Sequence, residues 1–447
     1  MFAFARKHLS AFARLTTRRR SSVASGARSR IDSAPECADF RRLLFRPIRL
    51  RQWLPAAAVL LALSLGAFGQ SAPPIAYYDP AIAQTGNTLK GALHEIIKGH
   101  TVLPYTATTT DTWDALMRLD EAPWDSASVI LVYSGLTNLK TNNYTGGVGA
   151  GKWSREHLVP QSYGLVAISS SSRAKTDVFN LRPADYTVNS TRSNLYYDTT
   201  TTPFRTTASA PGSSYDSDSW EPRDEDKGMV ARAAFYMATR YDGTDPDVPD
   251  LELSDTPDAA AYLFGKLSTM LAWNRQYPPT DAERLRNQRI YDTLQHNRNP
   301  FIDHPEYADM VFNGASPAQA WKSLRFTAQE LLTPEISADT ADADGDGLPN
   351  LVEYALRSDP RQPNPAPIAA SAATVGNVRY IYLTFPRNRH ATDTAISYES
   401  SGDCATWTPV AAETISAVVA DFETEQWTVR VPAAAPRFFV RVRVNKP

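Results

Sequence analysis

Two short stretches concentrate the residues that could do chemistry. The first is Lys152-Trp-Ser-Arg-Glu-His-Leu-Val-Pro-Gln-Ser162, which sets a carboxylate beside a histidine. The second is Asp177-Val-Phe-Asn-Leu-Arg-Pro-Ala-Asp-Tyr-Thr-Val-Asn-Ser-Thr-Arg-Ser-Asn194, which gathers three asparagines and two arginines. An acid next to a histidine means little alone, but bland loops seldom combine it with the second stretch. Phosphodiester hydrolysis needs a base to activate water, a cation to neutralise charge on the transition state, and support for the leaving oxygen. His157 suits the base, because an imidazole ordinarily titrates near working pH. Glu156 and an asparagine carboxamide oxygen are hard ligands suited to Mg²⁺, with waters completing the shell. Arginines such as Arg155, Arg173 and Arg182 can grip phosphate oxygens.

A second constellation lies far downstream. Asp342-Ala-Asp344-Gly-Asp346-Gly-Leu-Pro-Asn350-Leu-Val-Glu353 fits the template of an EF-hand loop. Asp342, Asp344 and Asp346 fall at positions 1, 3 and 5, and Gly347 at the sharp turn. The Leu348 carbonyl falls at position 7, Asn350 at position 9, and Glu353 at position 12, where it can bind bidentately. Pro349 and the lack of a clear preceding helix depart from a paired regulatory EF-hand. The loop looks like the solitary calcium loops of dockerins and secreted linkers, so a structural Ca²⁺ is expected; the bland alternative is a solvated acidic linker.

Several ordered motifs now carry a resemblance. They are Arg155-Glu-His-Leu-Val-Pro-Gln-Ser162, Asn180-Leu-Arg-Pro183, Val188-Asn-Ser-Thr-Arg-Ser-Asn194, Trp220-Glu-Pro-Arg-Asp-Glu-Asp-Lys-Gly228, Ala231-Arg-Ala-Ala-Phe-Tyr-Met237 and Arg298-Asn-Pro-Phe-Ile-Asp-His-Pro-Glu-Tyr307. Together they make residues 77–307 resemble the bacterial endonuclease I family of ββα-metal, or His-Me finger, nucleases. The resemblance implies an α+β fold in which a ββα finger is surrounded by helices. It implies that His157 is the general base on the hairpin, that Glu156 is a metal ligand beside it, and that Asn189 on the finger helix is the second ligand to a catalytic Mg²⁺ (or Mn²⁺). Arg192 and Asn194 take phosphate-contacting or orienting roles, and Asn180 stands where relatives carry Asn or His. Some members place a glutamate two residues before the aspartate that matches Asp177. Here that residue is Lys175, so no third protein carboxylate is expected at the metal.

The elements that must position these residues can be read around them. Leu89, Leu93, Ile96 and Ile97 recur at helical spacing within 87–98, and Lys227–Arg240 reads as a helix buried on one face. Residues 260–274 and 281–297 read as two more helices, the second capped by Asp281 after Pro278-Pro279. Ser128–Tyr133 reads as a buried strand. Trp220, Trp273 and Tyr236 read as core, and His304 as packing a turn. The catalytic part, 70–332, gives way to a linker at 333–372 that contains the acidic loop. Short β-branched runs at 378–385, 395–399, 426–431 and 437–444 then suggest a small all-β module over 373–447.

Charge and the N-terminal region bound the rest. Residues 1–69 hold 13 Lys/Arg against 3 Asp/Glu, and the whole chain is −2, so the remainder is about −12. That excludes a broadly basic surface for nucleic acid and requires local positive charge. Residues 151–205 supply it, with 7 Lys/Arg against 4 Asp/Glu. Arg46, Arg49 and Arg51 precede the apolar run 54–68 and the small residues Ala67 and Gly69, the pattern of a signal peptide over 46–69 cleaved near Gly69–Gln70. The run is short for a bilayer span, so a secreted or periplasmic protein without a membrane span is expected. The Arg- and Ser-rich residues 1–45 look like the product of a start placed too far upstream. Only Cys37 and Cys404 are present, and no intrachain disulfide is expected.

The expected function is therefore a secreted, non-specific endonuclease with nucleic acid as its substrate. The residues do not separate DNA from RNA, because such enzymes read backbone more than base. A non-catalytic surface or glycan-binding protein carrying a decayed nuclease is the competing class. Glu156, His157 and Asn189 occurring together argue against decay.

Overall fold

In the computed structural model, residues 72–165, 173–246, 248–435 and 437–446 are described. The leader over 46–69 and Cys37 lie outside them. Among the described residues no helix is long and apolar enough to cross a membrane.

The helical body is built around Asp224–Arg240. Its first turn carries Asp224, Glu225 and Asp226, which complement the positive end of the helix dipole. Beyond that turn the small residues Ala231, Ala233, Ala234 and Ala238 let neighbours approach, and the helix is buried along most of its length. Gly228 permits the closest approach: a Cβ there would lie 2.1 Å from the Tyr277 carbonyl oxygen. Gly86–Ile97 lays Leu89, Leu93 and Ile97 against this core, as the 3.6-residue spacing predicts. Leu267–Gln276 and Asp281–Thr293 complete the body.

The expected helix over 260–274 is not continuous. Ala259–Ala261 is a 3-10 turn stopped by Tyr262 at φ 57°, and Leu263–Phe264 pairs in parallel with Glu252–Leu253 before a helix restarts at Leu267. The cap of the next helix is Thr280, whose hydroxyl accepts from the Glu283 amide, rather than Asp281. The expected strand over 128–133 is shorter at its end: Asp125–Ile130 is extended, and the chain then turns through Tyr133 at φ 72°.

Much of the motif content is structural. Arg232 pairs with Glu283 at 2.7 Å, Arg286 with Asp120 at 2.9 Å, and Arg298 with Asp303 at 2.7 Å, all buried. Removing one partner of such a pair strands a charge in the interior. Glu283→Ala should therefore lower unfolding free energy by about 3–5 kcal/mol. Denaturant titration checks this, and a loss below 1 kcal/mol would show that Arg232 finds another partner.

After Leu332 the chain forms two short helices, Pro334–Ser337 and Asn350–Leu356, and then antiparallel strands. One sheet has the order 369–375, 378–388, 424–432, 413–419; the other has 408–409, 395–401, 439–445. Leu383, Phe385 and Val429 fill the space between them with Ile396 and Val442. The strand-rich segment touches the helical body directly. Arg389 pairs with Asp79 at 2.7 Å, and the His390 ring lies 4.5 Å from that of His304. His304 is fully buried, and its Nδ1 sits 3.1 Å from Glu306. Trp220, Trp273 and Tyr236 are all in the core.

Candidate active site

The two chemically rich stretches meet in one supersecondary unit. Trp153–His157 pairs antiparallel with Leu181–Asp185, with Glu156 opposite Arg182 and His157 opposite Leu181. The second strand runs straight into the helix Tyr186–Arg192. Asp185 caps that helix by accepting from the Thr187 and Val188 amides. The helix lies back against the first strand, because the Asn189 carboxamide nitrogen donates to Ser154 Oγ at 3.0 Å and to the Arg155 carbonyl at 3.3 Å.

His157 ends the first strand and is buried. Its Nε2 lies 2.9 Å from the Lys175 carbonyl. A carbonyl can only accept, so Nε2 carries the proton and Nδ1 presents its lone pair. The Gln161 side-chain nitrogen donates to Nδ1 at 3.2 Å. Burial, reinforced by the cations Arg155, Lys175 and Arg192, holds the imidazole down at about 4, so it is neutral near pH 7. Tyr105 covers the ring at 6.0 Å between centroids.

Glu156 is 2 % exposed. Its Oε1 accepts from the Tyr133 hydroxyl at 2.8 Å and lies 3.3 Å from Arg192. Burial pushes this carboxyl up to about 7, against the pull of Arg192 and Tyr133. The donor set suits a hard divalent cation. Glu156 is a desolvated carboxylate that a cation would ionise, and Asn189 spends its NH₂ on the strand, which leaves the carboxamide oxygen as a ligand atom.

The other expected contacts are engaged with the protein. Arg192 is 1 % exposed and donates to the carbonyls of His157, at 3.0 Å, and of Leu158. It thus holds the corner that carries the histidine. Asn180 is fully buried and clamps Val159 through both its amide and its carbonyl. Arg182 pairs with Asp120 at 2.6 Å, and Arg173 with Asp245 at 3.0 Å. Arg155 donates to the Tyr105 carbonyl and to Thr112 at 2.8 Å, with its guanidinium 3.4 Å above the Tyr105 ring. Asn194 is exposed just beyond the helix. The Lys175 side chain lies 4.6 Å from the Tyr105 ring, while its carbonyl fixes His157. Sequence reasoning missed Tyr133, Tyr197, Gln161 and Tyr105. Tyr133 joins Glu156 to Tyr197 through hydroxyls 2.7 Å apart; only its place at the end of an apolar run hinted at burial.

A neutral, tautomer-fixed histidine and a buried carboxylate share one strand, and the asparagine of the following helix is tied to that strand. The family model of Endonuclease I matches residues 85–306. The chain is 48% identical over 237 residues to an extracellular ribonuclease of Bacillus subtilis (strain 168), covering 53% of this chain and 78% of the relative. It is 46% identical over 243 residues to an extracellular ribonuclease of Bacillus amyloliquefaciens, covering 54% and 80%. The chain belongs to the Endonuclease I family, and it is a nuclease.

Proposed function

We propose that the protein is a secreted, sequence-independent endonuclease whose hairpin and helix form a ββα-metal finger around one Mg²⁺ (or Mn²⁺). The observation that supports this most is the fixed tautomer of His157 on the strand that carries Glu156 and to which Asn189 is tied through Ser154. Glu156 and Asn189 would hold the cation, whose positive charge would stabilise the scissile phosphate. Once Gln161 swings off the Nδ1 lone pair, His157 Nδ1 takes a proton from the attacking water while Nε2 stays bound to the Lys175 carbonyl. Until then Gln161 holds the Nδ1 side of the ring, and Arg192 keeps the strand end rigid. Asn194, exposed beyond the helix, is the phosphate contact nearest the site along the chain. Arg155, Arg173, Arg182 and Asn180 act on the substrate through the loops and strand they brace.

RNA as the preferred substrate is the second reading. It is favoured by relatives named extracellular ribonucleases, whose names also support secretion. Purified protein given supercoiled plasmid and single-stranded RNA under the same Mg²⁺ should cut both, the RNA at least as fast. Failure to cut either would overturn the proposal. The acidic loop at 342–353 is proposed to hold one structural Ca²⁺ through Asp342, Asp344, Asp346, the Leu348 carbonyl, Asn350 and Glu353. Three of these aspartates bring oxygens within 4.8 Å of one another.

A further inference from the structure

We propose that this one Ca²⁺ is the fastener of the strand-rich segment 369–445 on the nuclease body, acting through the helix Asn350–Leu356. The inference rests on reading the loop as a Ca²⁺ site.

The loop is folded for an ion that its own donors do not replace. Asp342 accepts from the amides of Gly345 and Gly347, each at 2.8 Å, and Asp346 accepts from those of Leu348 and Asn364. These bonds turn the backbone through Gly345 and Gly347, at φ 81° and 97°, where side chains are disfavoured. Glu353 is fully buried, yet neither of its oxygens accepts a well-formed hydrogen bond, and the Ser358 hydroxyl lies beside it. Asp344 Oδ2 and Asn350 Oδ1 are likewise without a donor. Among groups close enough to matter electrostatically, Glu353 faces Asp344, Asp346 and Asp342. Lys322 and Lys446 are both committed to Asp339. A buried carboxylate amid three others is costly unless it takes up a proton or a cation sits among them.

The ligand-bearing helix is also the joint. It has seven residues, too few to persist without support. The residue after Glu353 is Tyr354, whose ring packs 5.3 Å from Trp321 of the helix Pro317–Ser323. Its hydroxyl donates to Asp393 at 2.9 Å, and Asp393 accepts from the Ala318 amide at 3.0 Å. Asn388 donates to the Tyr354 carbonyl at 3.1 Å. The turn 388–393 carries Arg389 and His390, the residues that meet Asp79, His304 and Tyr307. Fixing Glu353 on an ion fixes Tyr354, and Tyr354 fixes that turn.

The test uses the full chain freed of Ca²⁺ with EGTA and titrated with Ca²⁺ alone. Calorimetry should show one ion bound per chain. With Ca²⁺ at about 100 times its Kd, amide exchange over 388–393 should slow by up to about 100-fold. Glu353→Gln and Asp344→Asn should weaken binding and the slowing together. Tyr354→Phe, which leaves every ligand in place, should bind Ca²⁺ normally and lose much of the slowing. Normal Ca²⁺ binding with unchanged exchange at 388–393 in the parent protein would overturn the coupling. No Ca²⁺ binding would overturn the site itself. A protein that responds to Ca²⁺ in this way but cuts no nucleic acid would contradict the catalytic reading alone.

Discussion

His157→Ala should reduce nucleic-acid cleavage by about 10²–10⁴-fold, the contribution of a positioned general base. Nucleic-acid affinity should change little, because phosphate contacts do not pass through the imidazole. The fold should survive, since the ring makes one backbone contact and one contact with Gln161. Single-turnover rates beside a binding measurement separate the two effects. Turnover within a few-fold of the parent would remove His157 from the chemistry. Gln161→Ala is a useful companion: it leaves Nδ1 and the Lys175 bond intact, so its loss in rate should be smaller.

Asn189→Ala should weaken Mg²⁺ binding by at least about 10–100-fold, the range seen when even a supporting group of a metal site is lost. The side chain sits on a short capped helix and spends its nitrogen on Ser154 and the Arg155 carbonyl. Losing it frees that edge slightly but strands no buried charge, so stability should fall by about 1 kcal/mol. Calorimetric titration with Mg²⁺ decides the matter. Unchanged affinity would place the metal elsewhere and leave Asn189 as a strand-to-helix tie.

The helices of the body were legible because burial imposes a period. Leu89, Leu93 and Ile97 repeat as a helix stripe must, and the packed face of Asp224–Arg240 is written in its alanines and aromatics. Residues 259–264 defeated the same logic. Their apolar spacing is helical, but Leu263–Phe264 is held by the upstream strand Glu252–Leu253, which no local pattern reveals. Tyr133 ended an apparent strand for a related reason: its backbone amide donates to Asp226 and its carbonyl accepts from Ser213, both distant in sequence.

The candidate site was legible by residue type and not by facing. Glu156 and His157 lie on one strand of the hairpin, and Asn189 is tied to that strand through Ser154 and the Arg155 carbonyl. Arg182 and Asn180 have the chemistry of phosphate contacts, yet Arg182 turns to Asp120 and Asn180 to the Val159 backbone. A side chain with several donors is as useful for closing backbone around a site as for gripping a ligand, and composition does not distinguish the two. The strands after residue 373 were mostly visible from alternation. The edge strands 369–375, 408–409 and 413–419 were not, because largely exposed edges bury too little to impose a pattern.

The central claim is that this chain cuts phosphodiester bonds with His157 as base beside one divalent cation. Its most direct test is the cleavage rate of supercoiled plasmid by protein stripped with EDTA, as Mg²⁺ is added back. The account predicts no cleavage in EDTA, and a rate that rises and saturates with Mg²⁺ in the parent protein. With His157→Ala the rate should stay low at every Mg²⁺ concentration. Full-speed cleavage in EDTA, or equal saturating rates for the two proteins, would contradict it.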